Sequence, residues 1–75
     1  MNITKTLDAK GLACPMPVVR TKKAIDTINS GDVLEVIATD KGALSDIPAW
    51  TESGGHTLLE QKEEDELLYF YIQKA

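Results

Sequence analysis

Little in this 75-residue chain can staple or cross-link it: there is one cysteine, Cys14, and one histidine, His56. A lone cysteine cannot form the internal disulfides that hold small extracellular domains together. It also excludes the paired thiols of thioredoxin-like redox proteins. One Cys and one His so far apart assemble no metal centre, so no metal is expected. Aromatic residues make up only 5% of the chain and the net charge is -4, which argues against direct nucleic-acid binding. No apolar run approaches the roughly 20 residues of a membrane-spanning helix. The N-terminal residues, from Met1 to Thr6, lack the apolar stretch of a secretory signal. Together these absences point to the reducing cytoplasm and to no membrane partner.

Length sets further bounds. One domain over residues 1–75 is expected, and a chain this small buries only about 60% of its extended surface. That leaves no deep pocket for a large cofactor, and none is expected. There is no phosphate-cradling glycine loop and no Ser-His-Asp set.

What is present is an uneven charge distribution. Through Ser30, Lys5, Lys10, Arg20, Lys22 and Lys23 stand against Asp8 and Asp26, a balance of +3. From Gly31 onward, three lysines stand against ten carboxylates, a balance of -7. The cations surround the cysteine. They read either as a solvated helix face or as a docking surface for an acidic partner or an anionic sulfur species.

Residues 3–8 alternate as a short strand, with Ile3, Lys5 and Leu7 on one side. A loop containing Gly11 leads to Cys14-Pro15-Met16-Pro17. Prolines are tolerated in a helix's first turn, where amide hydrogens lack intrahelical acceptors. The spacing therefore predicts a helix with Cys14 at the N-cap and Pro15 at the first helical position. Val18, Ala24, Ile25 and Ile28 follow at helical intervals, and Gly31 caps the end. Residues 33–39 read as a strand with Leu34, Val36 and Ala38 on one face. Residues 40–55 form a second helical region, capped by Asp40 or Asp46, with Pro48 in the first turn if the regular helix starts after Asp46. Residues 56–63 and 66–74 read as a hairpin around an acidic turn, with Leu68, Phe70 and Ile72 inward and Tyr69 and Tyr71 outward. The order βαβαββ predicts an α/β two-layer sandwich: a mixed four-stranded sheet with both helices on one face. The other face stays open.

Cys14 carries the chemistry. An N-cap position offers unpaired amides and the positive end of the helix dipole, so a lowered thiol pKa is expected. Gly11, Pro15, Met16, Pro17 and Val18 position the thiol, with the amides of Met16 and Val18 as donors. Lys10, Arg20, Lys22 and Lys23 add a solvent-screened contribution. A single thiol can keep an extra sulfur, because no neighbouring thiol attacks it. The competing readings are an inert, buried cysteine in a protein-binding regulatory module, and a thiol redox sensor. Trp50 reads as a core-edge residue or a partner-docking anchor.

The segment from Leu7 to Pro17, with its Gly11-Leu12-x-Cys14-Pro15-x-Pro17 motif, resembles the TusA-like (SirA-like) sulfur carriers. Lys22-Lys23-Ala24-Ile25, Asp46-Ile47-Pro48 and Gly55-His56 extend the resemblance over nearly the whole chain. It implies the same βαβαββ sandwich. It also implies a sulfurtransferase role, in which Cys14 accepts persulfide sulfur from a cysteine desulfurase or rhodanese and relays it to a downstream acceptor protein. The pathways implied are tRNA thiolation, molybdenum cofactor synthesis, sulfur oxidation or selenium metabolism. Ala13 and Met16 stand where the tRNA-thiolation branch often has arginine and glutamate.

Overall fold

The computed structural model describes residues 2–75; Met1, part of the N-terminal reading above, lies outside the described residues. Six elements follow the expected order: β1 (Lys5–Ala9), α1 (Met16–Ile25), β2 (Val33–Ala38), α2 (Ala43–Ser53), β3 (Thr57–Glu64) and β4 (Leu67–Gln73). The strands form one sheet in the order β1-β2-β4-β3. β1 runs parallel to β2, while β4 lies antiparallel to both β2 and β3. The first strand thus starts two residues later than its alternation suggested, and Ile3 remains exposed.

Period-two alternation explains the inner face of the sheet. Leu34, Val36 and Ala38 of β2 and Leu68, Phe70 and Ile72 of β4 are all buried, as expected, and they register against one another across the ladder. Both helices close over this face. α1 buries Pro17, Thr21, Ala24 and Ile25, and α2 buries Ala43, Ile47 and Thr51, each set at helical spacing. The two buried threonines satisfy their hydroxyls within their own helices, Thr21 Oγ1 donating to the Pro17 carbonyl and Thr51 Oγ1 to the Ile47 carbonyl, each at 2.7 Å. Their side chains therefore fill core space at little polar cost.

Both helix starts depart from expectation. In α1 the N-cap is Pro15, not Cys14, because the Met16 amide donates to the Ala13 carbonyl at 2.9 Å and closes a turn around the cysteine. In α2 the helix begins at Ala43, so Pro48 lies inside it. Neither Asp40 nor Asp46 caps it; Gly42 is the N-cap, with no side-chain hydrogen bond. The opening turn is tight, with Ala43, Leu44 and Ser45 donating to carbonyls three residues back. Pro48, lacking an amide hydrogen, follows that turn.

Among the described residues no layer covers the outer face of the sheet, yet Tyr71 on that face is buried. Tyr71 was expected to face outward and does, but only 6% of it is exposed. Its hydroxyl donates to Glu35 Oε2 at 2.7 Å, and Lys62 Nζ lies 5.9 Å from its ring centroid. Cross-strand neighbours thus roof the ring.

Candidate functional site

Cys14 lies in the turn between β1 and α1, at one end of the sheet, and is exposed. Two features place it there, the turn at Gly11 and the anchor at Pro17. Gly11 takes φ +79°, a left-handed conformation that glycine adopts without a Cβ clash, and its amide donates to Thr39 Oγ1 at 2.9 Å. That contact ties the β1–α1 loop to the end of β2. The Cys14–Pro15 peptide is cis. Pro17, at the second helical position and buried, anchors the start of α1 in the core.

The neighbours of the thiol are acidic. Cys14 Sγ donates to Asp46 Oδ2 at 3.0 Å, and the Cys14 amide donates to Asp40 Oδ2 at 3.2 Å. Asp40 comes from the β2–α2 loop and Asp46 from the first turns of α2, so three segments meet at this point. Gly42 lies between the two carboxylates: a Cβ there would stand 3.0 Å from Asp40 Oδ2 and 3.8 Å from Asp46 Oδ2. Its lack of a side chain gives Asp40 the room to reach Cys14.

This geometry overturns the expected lowering of the thiol pKa. The hydrogen bond to Asp46 raises it first, followed by desolvation and by the negative charges of Asp46 and Asp40. A carboxylate that accepts the thiol hydrogen stabilises the neutral form, and nearby anions penalise the thiolate. The Met16 amide, expected to donate to sulfur, is taken by Ala13. Val18 is half-buried against the core.

The expected docking cations do not crowd the sulfur. Lys10 pairs loosely with Asp8 at 3.8 Å. Arg20 and Lys23 line a hollow of ≈ 220 Å³ beside Lys5 and Leu7 of β1, and Lys22 is exposed on the last turn of α1. Trp50 packs against the core at its edge, half-buried, its ring 5.3 Å from that of His56. His56 in turn accepts a hydrogen bond from the Ala75 amide at Nδ1. The large apolar side chains that stand open on α1, the helix that follows the thiol, are Met16 and Val19, each 37% exposed.

Asp40 and Asp46 are the partners that sequence reasoning assigned to a different task, as helix caps. Asp46 belongs to the Asp46-Ile47-Pro48 stretch already matched to the sulfur carriers, and that was the available signal. Among the described residues no group of three or more metal-ligating side chains forms a candidate metal site. Cys14 lines neither the hollow beside Arg20 nor a second one, of ≈ 410 Å³, beside Pro48, Glu52 and His56. The thiol is thus exposed rather than sunk in either hollow.

Comparison with known proteins agrees with this fold. The model of the family described as Sulfurtransferase TusA matches residues 5–74. Over its whole length the chain is 64% identical to the putative sulfur carrier protein YrkI of Bacillus subtilis, covering all of that protein. It is 50% identical to the putative sulfur carrier protein YrkF of the same organism, of which it spans 40%. It is also 46% identical to the sulfur carrier protein TusA of Allochromatium vinosum, with 92% of this chain and 91% of that one aligned. The crystal structure of a SirA-like protein from Desulfitobacterium hafniense superposes with a TM-score of 0.84 at 29% identity, covering 93% of this chain and 96% of that one. The exposed thiol on a βαβαββ sandwich and the matched residues together place the chain: it belongs to the TusA family of sulfur carrier proteins.

Proposed function

We propose that this protein carries sulfane sulfur as a persulfide on Cys14, in the cytoplasm, between a donor protein and an acceptor protein. The observation that carries this reading is the exposed, solitary thiol at the mouth of α1. Exposure lets a donor's persulfide reach Sγ. Solitude keeps the product from collapsing into an internal disulfide. In loading, Cys14 Sγ attacks the outer sulfur of the donor persulfide; a new S–S bond forms and the donor thiol leaves. In discharge, an acceptor thiol attacks the outer sulfur on Cys14, and Cys14 leaves.

A cysteine desulfurase or a rhodanese has the chemistry to act as donor, since each holds sulfur as a cysteine persulfide. Met16 and Val19 give such a partner exposed apolar contacts on α1, and the exposed cations of the same helix, Arg20, Lys22 and Lys23, give it a charge to match. A redox-sensor role fits less well, because peroxide sensing draws on low-pKa thiols and this one is raised. The test is incubation with a cysteine desulfurase and free cysteine, read by intact mass. One added sulfur, removable by dithiothreitol and absent in Cys14→Ser, is the expected result. A panel of desulfurases and rhodaneses that adds none would refute the carrier role.

A further inference from the structure

We infer that Asp46 is a catalytic residue, the proton acceptor and donor for Cys14 in each sulfur transfer. The inference rests on the carrier reading above and adds the step that reading leaves open. Cys14 must lose a proton to attack and regain one after it leaves. The Asp46 carboxylate touches the reacting atom, with Oδ2 3.0 Å from Sγ, within the range of direct proton transfer.

The surrounding geometry fits that task. Asp46 is held on the early turns of α2, where the Ala43 and Ile47 side chains are buried, and is itself half-buried. Asp40 grips the Cys14 amide at 3.2 Å, which fixes the backbone carrying the thiol relative to that helix. The charged groups that face the thiol are these two carboxylates: Asp40 from the β2–α2 loop and Asp46 from α2. Lys10 of the β1–α1 loop is directed to Asp8, Lys41 to Glu63 at 3.1 Å, and Arg20 and Lys23 line the hollow beside β1. No cation competes for Asp46 Oδ2 among the described ion pairs.

The step balances. In loading, Cys14 Sγ bonds to the outer sulfur of the donor persulfide as its proton passes to Asp46. The donor S–S bond breaks, its electron pair leaves on the donor sulfur, and Asp46 or water protonates that thiolate. The overall change is Cys14–SH plus donor–S–SH giving Cys14–S–SH plus donor–SH. In discharge the acceptor thiol gives its proton to Asp46 as its sulfur bonds to the outer sulfur; the Cys14 S–S bond breaks, and Asp46 passes that proton to the departing Cys14 thiolate. Neither direction needs an oxidant or a reductant. A neutral resting thiol with an attached base is protected from stray electrophiles and becomes a nucleophile only as a bond forms.

The test uses bis(2-hydroxyethyl) disulfide, a neutral probe in which the same kinds of bond break and form and which needs no protein donor. Mixed-disulfide formation on Cys14 is followed by intact mass across pH 5 to 9. A reaction through free thiolate alone slows about tenfold per pH unit below the thiol pKa. The wild type is expected to depart from that line on the acidic side, levelling to a plateau. Asp46→Asn is expected to lose the plateau and follow its thiolate fraction throughout, while Asp26→Asn, a carboxylate at the other end of α1, keeps it. A wild type that tracks its thiolate fraction down to pH 5 overturns the inference, whether or not Asp46→Asn folds. A plateau that survives in folded Asp46→Asn overturns it as well. Failure of the carrier reading would look different: no sulfur taken from any donor protein, with the plateau intact.

Discussion

Tyr71 and Glu35 face each other across the β2–β4 ladder on the open side of the sheet, joined by a 2.7 Å hydrogen bond from the phenol to the carboxylate. Thr6 Oγ1 donates to the other carboxylate oxygen at 3.0 Å, so Glu35 links β1, β2 and β4. The Tyr71 pKa is pushed up to about 12, by burial first and then by Glu35. A raised pKa means the folded state holds the proton more tightly than the unfolded state does. The resulting stability is whole below pH 10 and is lost as pH climbs from 10 to about 12. Alkaline denaturation followed by circular dichroism and by absorbance at 295 nm should show a late-titrating tyrosine whose ionisation coincides with loss of structure. Tyr71→Phe should cost about 1–2 kcal/mol at neutral pH and weaken that alkaline dependence. An unchanged stability at both pH values would contradict the link.

The thiol itself supplies a pH prediction of the same sign. Because Asp46 and Asp40 raise the Cys14 pKa, iodoacetamide should alkylate Cys14 with a midpoint above that of an ordinary peptide cysteine. Asp46→Asn should move the midpoint downward, and Asp40→Asn should do so to a smaller extent. A wild-type midpoint below the ordinary value would show that the helix start, not the carboxylates, governs the sulfur.

The β3–β4 turn offers a stabilising change. Asp65 and Glu66 both take left-handed backbone angles, φ 52° and 66°. Two-residue hairpin turns of this kind favour Asn or Asp followed by Gly. Glu66 carries a Cβ where glycine would meet no strain, and it adds charge to a run already containing Glu63, Glu64 and Asp65. Glu66→Gly should stabilise the fold by about 0.5–1 kcal/mol after the entropic cost of glycine is subtracted. Thermal unfolding would show this as a Tm rise of roughly 2–8 °C. A lower Tm would mean the turn carries no such strain.

Phe70 is fully buried in the middle of the inner face, paired with Val36. Phe70→Ala should cost about 3–5 kcal/mol. The whole stability of a domain this size is roughly 4–11 kcal/mol, so that loss is a large share of it. By contrast, Leu59 is 41% exposed at the bulge in β3, and Leu59→Ser should change stability by under about 0.5 kcal/mol. Urea denaturation of the two variants measures both; equal losses would show the core to be misplaced.

Local pattern made most of the fold legible. Leu34, Val36 and Ala38, and again Leu68, Phe70 and Ile72, alternate so cleanly that one face of each strand had to be inside. The two prolines marked the start of α1 to within a residue. That single residue mattered, because the turn closed by Met16 and Ala13 moved Cys14 from the N-cap into the preceding loop. The acidic surroundings of the thiol were out of reach for a different reason. Asp46 is 32 residues from Cys14 in the chain, and the two meet only once α2 is laid beside α1 across the sheet. Read locally, Asp40 and Asp46 before an apolar stretch look like caps. Only the tertiary fold shows that their carboxylates turn toward sulfur. Tyr71 illustrates the same limit, since alternation assigned its face but could not show Glu35 and Lys62 closing over it.

Sulfur occupancy of Cys14 through one full cycle is the most direct measurement. The protein would be loaded by a cysteine desulfurase, separated from it, and mixed with an acceptor thiol protein, with peptide mass spectra taken at each stage. One extra sulfur on the peptide containing Cys14 after loading, transferred to the acceptor after mixing, is the predicted result. Sulfur that never appears on that peptide, or that reaches the acceptor equally well with Cys14→Ser, would contradict it.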